Sequence, residues 1–271
     1  LEIDENIIKQ KLVPVEHHLA HLASTFFTSP YNESVICSID GFGDFISTMW
    51  GLGLGNNIKV DETVSFPHSL GMLYQSITQF LGFWNYGDEY KVMGMAAYGK
   101  PTYTSEIMKL IKLYDGGKFE LVPEYFNHPV EGVSMEFNGG CPVIGAVFSE
   151  KMSDLLGPSR GKDEKISQKH KDIACSVQKV YEDALFNILS HLNKLYPTQI
   201  NLCLAGGCAQ NSLANGKITT NTNFEKVWIQ PAAGDSGGAL GAALTIANMH
   251  SNKKRNVMVS PALGISYSNK E

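Results

Sequence analysis

Three of the chain's eight histidines stand within five positions, in the stretch VPVEHHLAHLASTFF at 13–27. On a helix His17 and His21 are four residues apart, and His18 and His21 three apart. Either pair puts two imidazoles on one face with Cβ atoms about 5–6 Å apart. That separation suits one metal ion taking a ring nitrogen from each. The glutamate of HExxH is missing, which excludes the zinc-protease arrangement. For two histidines alone packing is the better explanation, because a stable metal site needs three or more donors. Two aspartates are placed to add them. Asp40 ends the apolar run SVICSID where the chain turns through Gly41 and Gly43. Asp235 stands in PAAGDSGGALGAA at the mouth of a helix, where it could equally serve as an N-cap.

Two glycine-rich turns offer unobstructed backbone N–H groups: DGFGD at 40–44, and AGGCAQN at 205–211, a strand-to-helix junction. Both arrangements can hold phosphate oxygens through main-chain donors and a helix dipole. Each alone is commonplace; together they point to a nucleotide held between lobes. KVMGMAAYGKP at 91–101 adds Lys91 and closely spaced glycines, which also suit tight helix packing. Cys208 has no histidine or basic partner nearby in sequence and reads as structural.

The elements that must position these groups follow from periodicity. A helix spans 15–27, then a meander of strands covers 34–40, 45–54 and 57–66, with glycine-rich corners. Helices are expected over 69–83 and 104–114, with a glycine-rich loop and short helix at 84–101. Residues 118–160 show weak periodicity and many turn formers. A long amphipathic helix runs over 168–195. Strand 200–207, helix 210–219, strand 226–231 and helix 236–250 complete the order. This β-β-β-α…α-β-α-β-α succession predicts an α/β fold of RNase H-like type, a mixed sheet with helices on both faces.

With 271 residues, 43% of them hydrophobic, the chain can bury a substantial core. A net charge of −5 and the lack of a long basic run give no reason to expect nucleic-acid or anionic-membrane partners. No apolar stretch approaches the roughly 20 residues that span a bilayer. Five scattered cysteines form no CxxC pair, and those in apolar runs read as reduced thiols, which favours the cytoplasm.

EHHLAHLAS, SIDGFGD, SLGMLYQSITQFLGF, EYKVMGMAAYGKP, LAGGCAQNSLANGKI and PAAGDSGGALGAA, in that order, resemble the nodulation- and antibiotic-type O-carbamoyltransferases. The histidine pair, the DG turn and the GD helix also resemble the tRNA threonylcarbamoyladenosine transferases. The resemblance implies an actin/hexokinase/Hsp70-like pair of RNase H-like lobes with nucleotide and metal between them. It implies that carbamoyl phosphate and ATP give carbamoyl adenylate, and that the carbamoyl group passes to a hydroxyl of a small molecule such as a sugar or antibiotic. The implied ligands of a divalent metal, usually iron, are His17, His21, Asp40 and Asp235. Gly41, Gly43, Gly206, Gly207 and Asn211 would line the adenylate, with Lys91 as a further candidate. His18 would act as base toward the acceptor hydroxyl.

The family's strand-rich first-lobe beginning and its adenylate-forming C-terminal domain have no counterpart in these residues. Residues 1–33 are therefore expected to be the end of a first lobe and 34–271 a second lobe with an irregular insertion around 118–160. Covalently continuous domains beyond the chain would be needed, and the 271 residues alone are expected to be inactive. Two alternatives stay open: a tRNA threonylcarbamoyl transferase, and a kinase- or chaperone-like ATP-binding lobe without carbamoyl chemistry. The latter gives the histidine cluster no role.

Overall fold

The structure is a computed structural model and describes residues 10–249, 255–262, 264 and 265. Residues 1–9 of the expected first domain lie outside the described residues, as do His250, Lys253, Lys254 and the closing SYSNKE.

Strands β1 (Glu33–Gly43), β2 (Ile46–Leu54) and β3 (Asn57–Ser65) form an antiparallel meander. Strands β8 (Asn201–Ala205) and β9 (Lys226–Trp228) join the other side of β1 in parallel. The resulting sheet has the order β3-β2-β1-β8-β9. β1 is central and buried on both faces, so it reads as a continuous apolar run rather than an alternation.

The strand's two-residue period divides the core. Val35, Cys37 and Ile39 face helix α2 (Leu70–Phe80) and the long helix α5 (Gln168–Leu195), whose Ile173, Val177, Leu185 and Ile188 are fully buried. Ile36 faces the opposite layer. There helix α1 (His17–Phe26) lays Leu22, Ala23 and Phe26 against Ile36, Met49 and Cys203. Helix α6 (Gly238–Met249) lies alongside α1, and Leu244 packs on the same cluster. Helices thus cover both faces of a mixed sheet.

Helix α3 (Glu89–Ala96) follows the turn after α2. The amphipathic helix expected over 104–114 is broken. After a helical turn at Thr104–Ile107 the chain extends, and β4 (Ile111–Leu113) pairs antiparallel with β5 (Phe119–Leu121). Gly116 and Gly117 at φ +76° and +72° make the reversal possible. Ile111 then buries beside Phe119 and Leu121, a burial that continued helix would not provide. The rest of the excursion holds a small hairpin, β6 (Met135–Asn138) with β7 (Cys141–Ile144), and helix α4 (Glu150–Leu156).

The helix expected over 210–219 is likewise two short turns, Ser212–Asn215 and Ile218–Asn221. Asn211 caps the first by accepting from the Ala214 N–H at 3.1 Å, and Gly216 separates the two. Among the described residues no helix is long and apolar enough to cross a membrane. Cys37, Cys175, Cys203 and Cys208 are free thiols.

Candidate metal centre and its cavity

Helix α1 starts under the control of two carboxylates. Glu16 accepts from the His18 and Leu19 N–H groups, and Asp44 from the His17 N–H at 3.0 Å. Both satisfy donors that a helix N-terminus leaves free. Gly43 fixes the neighbouring approach: a Cβ there would lie 2.0 Å from the His17 ring. His17 and His21 therefore turn toward the end of β1, where their Nε2 atoms lie 3.0 Å apart.

Asp40 meets them. Its Oδ2 is 2.8 Å from His21 Nε2 and 3.3 Å from His17 Nε2. Its Oδ1 accepts from the Gly41 N–H at 2.8 Å and the Gly207 N–H at 3.0 Å. Asp235, on the turn leading into α6, puts Oδ1 3.5 Å from both histidine nitrogens. Its side chain is 61% exposed, and Gly234, not Asp235, holds the N-cap position of that turn. One ligand atom from each of His17, His21, Asp40 and Asp235 lies within 4.8 Å of every other.

This donor set fits a divalent cation. Two imidazoles and two carboxylates match zinc- or iron-type ligation, and lone pairs converge from all four. The centre already draws positive charge. Burial works to lower the His21 pKa, but hydrogen bonds to Asp235 and Asp40 outweigh it and raise it to about 9. Burial works to raise Asp40, yet hydrogen bonds from His17 and His21 hold it well below the carboxylate range.

His18 is a correction. Its ring is fully buried, with Nδ1 2.7 Å from Ser38 Oγ and Nε2 2.9 Å from the Ile46 carbonyl. The carbonyl only accepts, so Nε2 carries the proton and Nδ1 accepts from the serine. Neither nitrogen is free for an acceptor hydroxyl, which argues against the base role expected for it. His18 ties helix α1 to the sheet. Burial, the largest influence, lowers its pKa to about 4.

The sign of the consequence is set by linkage: the unfolded chain binds this proton below about 6.5 and the folded chain only below about 4. The stability is therefore fully present above pH 6.5 and lost as pH falls toward 4, amounting to about 3 kcal/mol. Urea unfolding at pH 7 and pH 4.5 should show a smaller acid-induced loss in His18→Asn than in wild type. An equal loss in both would contradict the neutral buried imidazole.

Beside the four candidate ligands opens a cavity of about 510 Å³. Asp40, Gly41, Gly207, Asn211 and Asp235 line it. The Gly41 and Gly207 amides both donate to Asp40, which takes the main-chain donors expected there for phosphate. Gly43 and Gly206 do not line the cavity. Gly206, at φ +89°, lets the turn close on β1, where a Cβ would meet the Ile39 oxygen at 2.1 Å. Lys91 does not line it either: its ammonium pairs with Asp88 at 2.7 Å.

Sequence reasoning missed Tyr74, Tyr86, Glu89, Tyr90 and Tyr181, all lining residues. Burial, the main influence, raises the Glu89 pKa. For four of them the signal lay in SLGMLYQ, which carries Tyr74, and NYGDEY, which carries Tyr86, Glu89 and Tyr90 around a glycine; Tyr181 lies in neither.

Residues 3–244 match the sequence family described as Carbamoyltransferase N-terminus. The chain is 38% identical over 254 residues to the uncharacterized protein sll1178 of Synechocystis sp., covering 93% of this chain and 39% of that protein. It is 34% identical to nodulation protein NolNO of Sinorhizobium fredii, covering 86% and 31%. To nodulation protein NolO of Bradyrhizobium diazoefficiens it is 33% identical, covering 86% and 38%. The chain thus spans under two-fifths of the length of these relatives. By the extent of the match, the chain belongs to the carbamoyltransferase N-terminal family.

Proposed function

We propose that this protein is an O-carbamoyltransferase in which His17, His21, Asp40 and Asp235 hold a divalent metal, iron by preference. The neighbouring cavity takes carbamoyl adenylate formed from carbamoyl phosphate and ATP, and the acceptor is a hydroxyl of a small molecule. The observation that carries this reading is the convergence of four candidate ligand atoms, with Asp40 and Asp235 of that cluster also lining the cavity. Family membership and the nodulation relatives support the carbamoyl chemistry. We read the order β3-β2-β1-β8-β9, with its antiparallel meander and two parallel strands, as an RNase H-like lobe.

When bound, the metal would neutralise phosphate charge and polarise the carbamoyl carbonyl as a Lewis acid. The chain's own residues supply the setting. Asp40, locked by two backbone amides, keeps one oxygen turned to the histidines. His21, 1% exposed, cannot swing away, so the centre is fixed before a ligand arrives. Glu89 offers its carboxyl from the cavity wall to a ligand's hydroxyl groups. Tyr181, a buried residue, forms part of the inner wall.

The test uses the full-length protein with ATP and carbamoyl phosphate carrying a labelled carbamoyl carbon. Label is expected to appear in an adenylate and then on a hydroxyl acceptor. Asp235→Asn is expected to lower that transfer more than about tenfold. Wild-type protein that places no label in any nucleotide would overturn the proposal.

A further inference from the structure

Beneath the cavity lies a run of buried polar side chains that the chemistry above does not use. Tyr74 and Asn211 line the cavity, and both are held from behind by Gln178, a buried residue of α5. The Tyr74 hydroxyl and Asn211 Nδ2 both donate to Gln178 Oε1, each at 2.9 Å. Gln178 Nε2 donates in turn to Asn211 Oδ1 and to Glu182 Oε1, each at 3.0 Å. Glu182, also buried, takes the Lys217 ammonium on both oxygens at 2.7 Å.

The direction of every bond follows from the far end. Glu182, paired with an ammonium, is a carboxylate and only accepts. The nitrogen of Gln178 must therefore face it, which leaves the amide oxygen to face Tyr74 and Asn211. Tyr74 spends its one proton there and can only accept from the cavity side. Asn211 has its oxygen occupied by Gln178 and by the Ala214 N–H, and its side chain also hydrogen-bonds the Tyr74 hydroxyl. The floor then presents the Tyr74 oxygen as an acceptor.

We infer that Gln178 is a positioning residue: backed by Glu182 and Lys217, it sets the hydrogen-bond polarity with which Tyr74 and Asn211 meet the occupant of the cavity. The ligand group that matches this floor is a hydrogen-bond donor. The inference rests on reading the cavity as a nucleotide site. It reaches from a half-exposed lysine through Glu182 and Gln178 to Tyr74 and Asn211 at the ligand, and none of the four side chains of the metal cluster belongs to the run.

Gln178→Glu keeps the shape and puts a second carboxylate where the amide donates to Glu182 and Asn211. ATP binding to the full-length protein, followed by calorimetry at pH 8, is expected to weaken by about tenfold or more. Metal content should stay at the wild-type level. On acidification the new carboxyl takes up a proton and regains a donor, so the deficit relative to wild type should shrink by pH 6. Lys217→Met, made at the half-exposed end, keeps the test open should the first variant fail to fold. It is expected to weaken ATP binding about threefold or more by leaving Glu182 without its partner.

Binding of ATP within twofold of wild type by these variants would overturn the inference alone. So would a loss in Gln178→Glu that is the same at both pH values, because that describes packing damage. A wild-type protein that binds no ATP would overturn the nucleotide reading of the cavity and this inference with it.

Discussion

Asp40→Asn is expected to weaken metal binding at least about a hundredfold, read by competition with a coloured chelator. The reason is the double duty of this side chain. One oxygen serves His21 and His17, and the other serves the Gly41 and Gly207 amides. Asparagine has a single oxygen for both tasks. If it stays with the two amides, an NH₂ group faces two imidazole nitrogens and a cation. If it turns round, the NH₂ group faces two N–H donors at hydrogen-bonding distance, and a buried clash replaces two bonds. Either outcome removes a negative charge from the centre. Asp44→Asn makes the comparison sharp, because Asp44 only accepts from the His17 N–H. That variant should keep metal affinity within about threefold of wild type.

Gly241→Ala is the second large effect, and it acts through packing. Helix α6 lies so close to α1 that a Cβ at residue 241 would stand 1.8 Å from the Ala20 carbonyl oxygen. The obstacle is helical backbone, which cannot rotate away as a side chain can. The two helices would have to separate. A cost of about 3 kcal/mol follows, at the upper end for overpacking, with Tm lower by roughly 6–12 °C. The metal centre should suffer too, because α1 carries His17 and His21 while Asp235 stands on the turn into α6. Gly238→Ala provides the contrast. Nothing lies within 4 Å of a Cβ there, and its backbone is already helical, so stability should hold or rise slightly. Thermal unfolding of both variants checks the pair, and equal Tm values would contradict the close-packing account.

The sequence announced some of this and concealed the rest for identifiable reasons. The sheet was legible because β1, β2 and β3 carry long runs of strand formers between glycine corners. Helix α5 was legible because eight apolar residues repeat at helical spacing over 28 positions. The four ligand residues drew attention as titratable groups at the ends of such elements, and the structure brings them together. His18 was harder. One turn of helix gives three histidines three directions, and only the sheet beneath decides which of them meets Ser38. Lys91 misled because its partner Asp88 sits three residues earlier and takes the charge away from the cavity.

The β4–β5 hairpin was hidden by shortness: Ile107, Leu110 and Ile111 fit a helical stripe as well as a turn followed by a three-residue strand. Gln178 was hidden differently. A glutamine among apolar positions of a helix reads as solvent-facing, and its partners Tyr74 and Asn211 lie 104 and 33 positions away. Local pattern finds elements and their ends. Which side chains answer one another across the fold is decided by tertiary approach.

Stoichiometric reconstitution with ferrous iron under anaerobic conditions, followed by X-ray absorption at the iron edge, interrogates the cluster without reference to turnover. A single ion per chain, bound by two imidazole nitrogens with oxygen completing the shell and displaced in His21→Ala, is the predicted result. Iron that fails to load stoichiometrically, or that keeps an unchanged shell when His21 is alanine, would contradict a centre built from these four side chains.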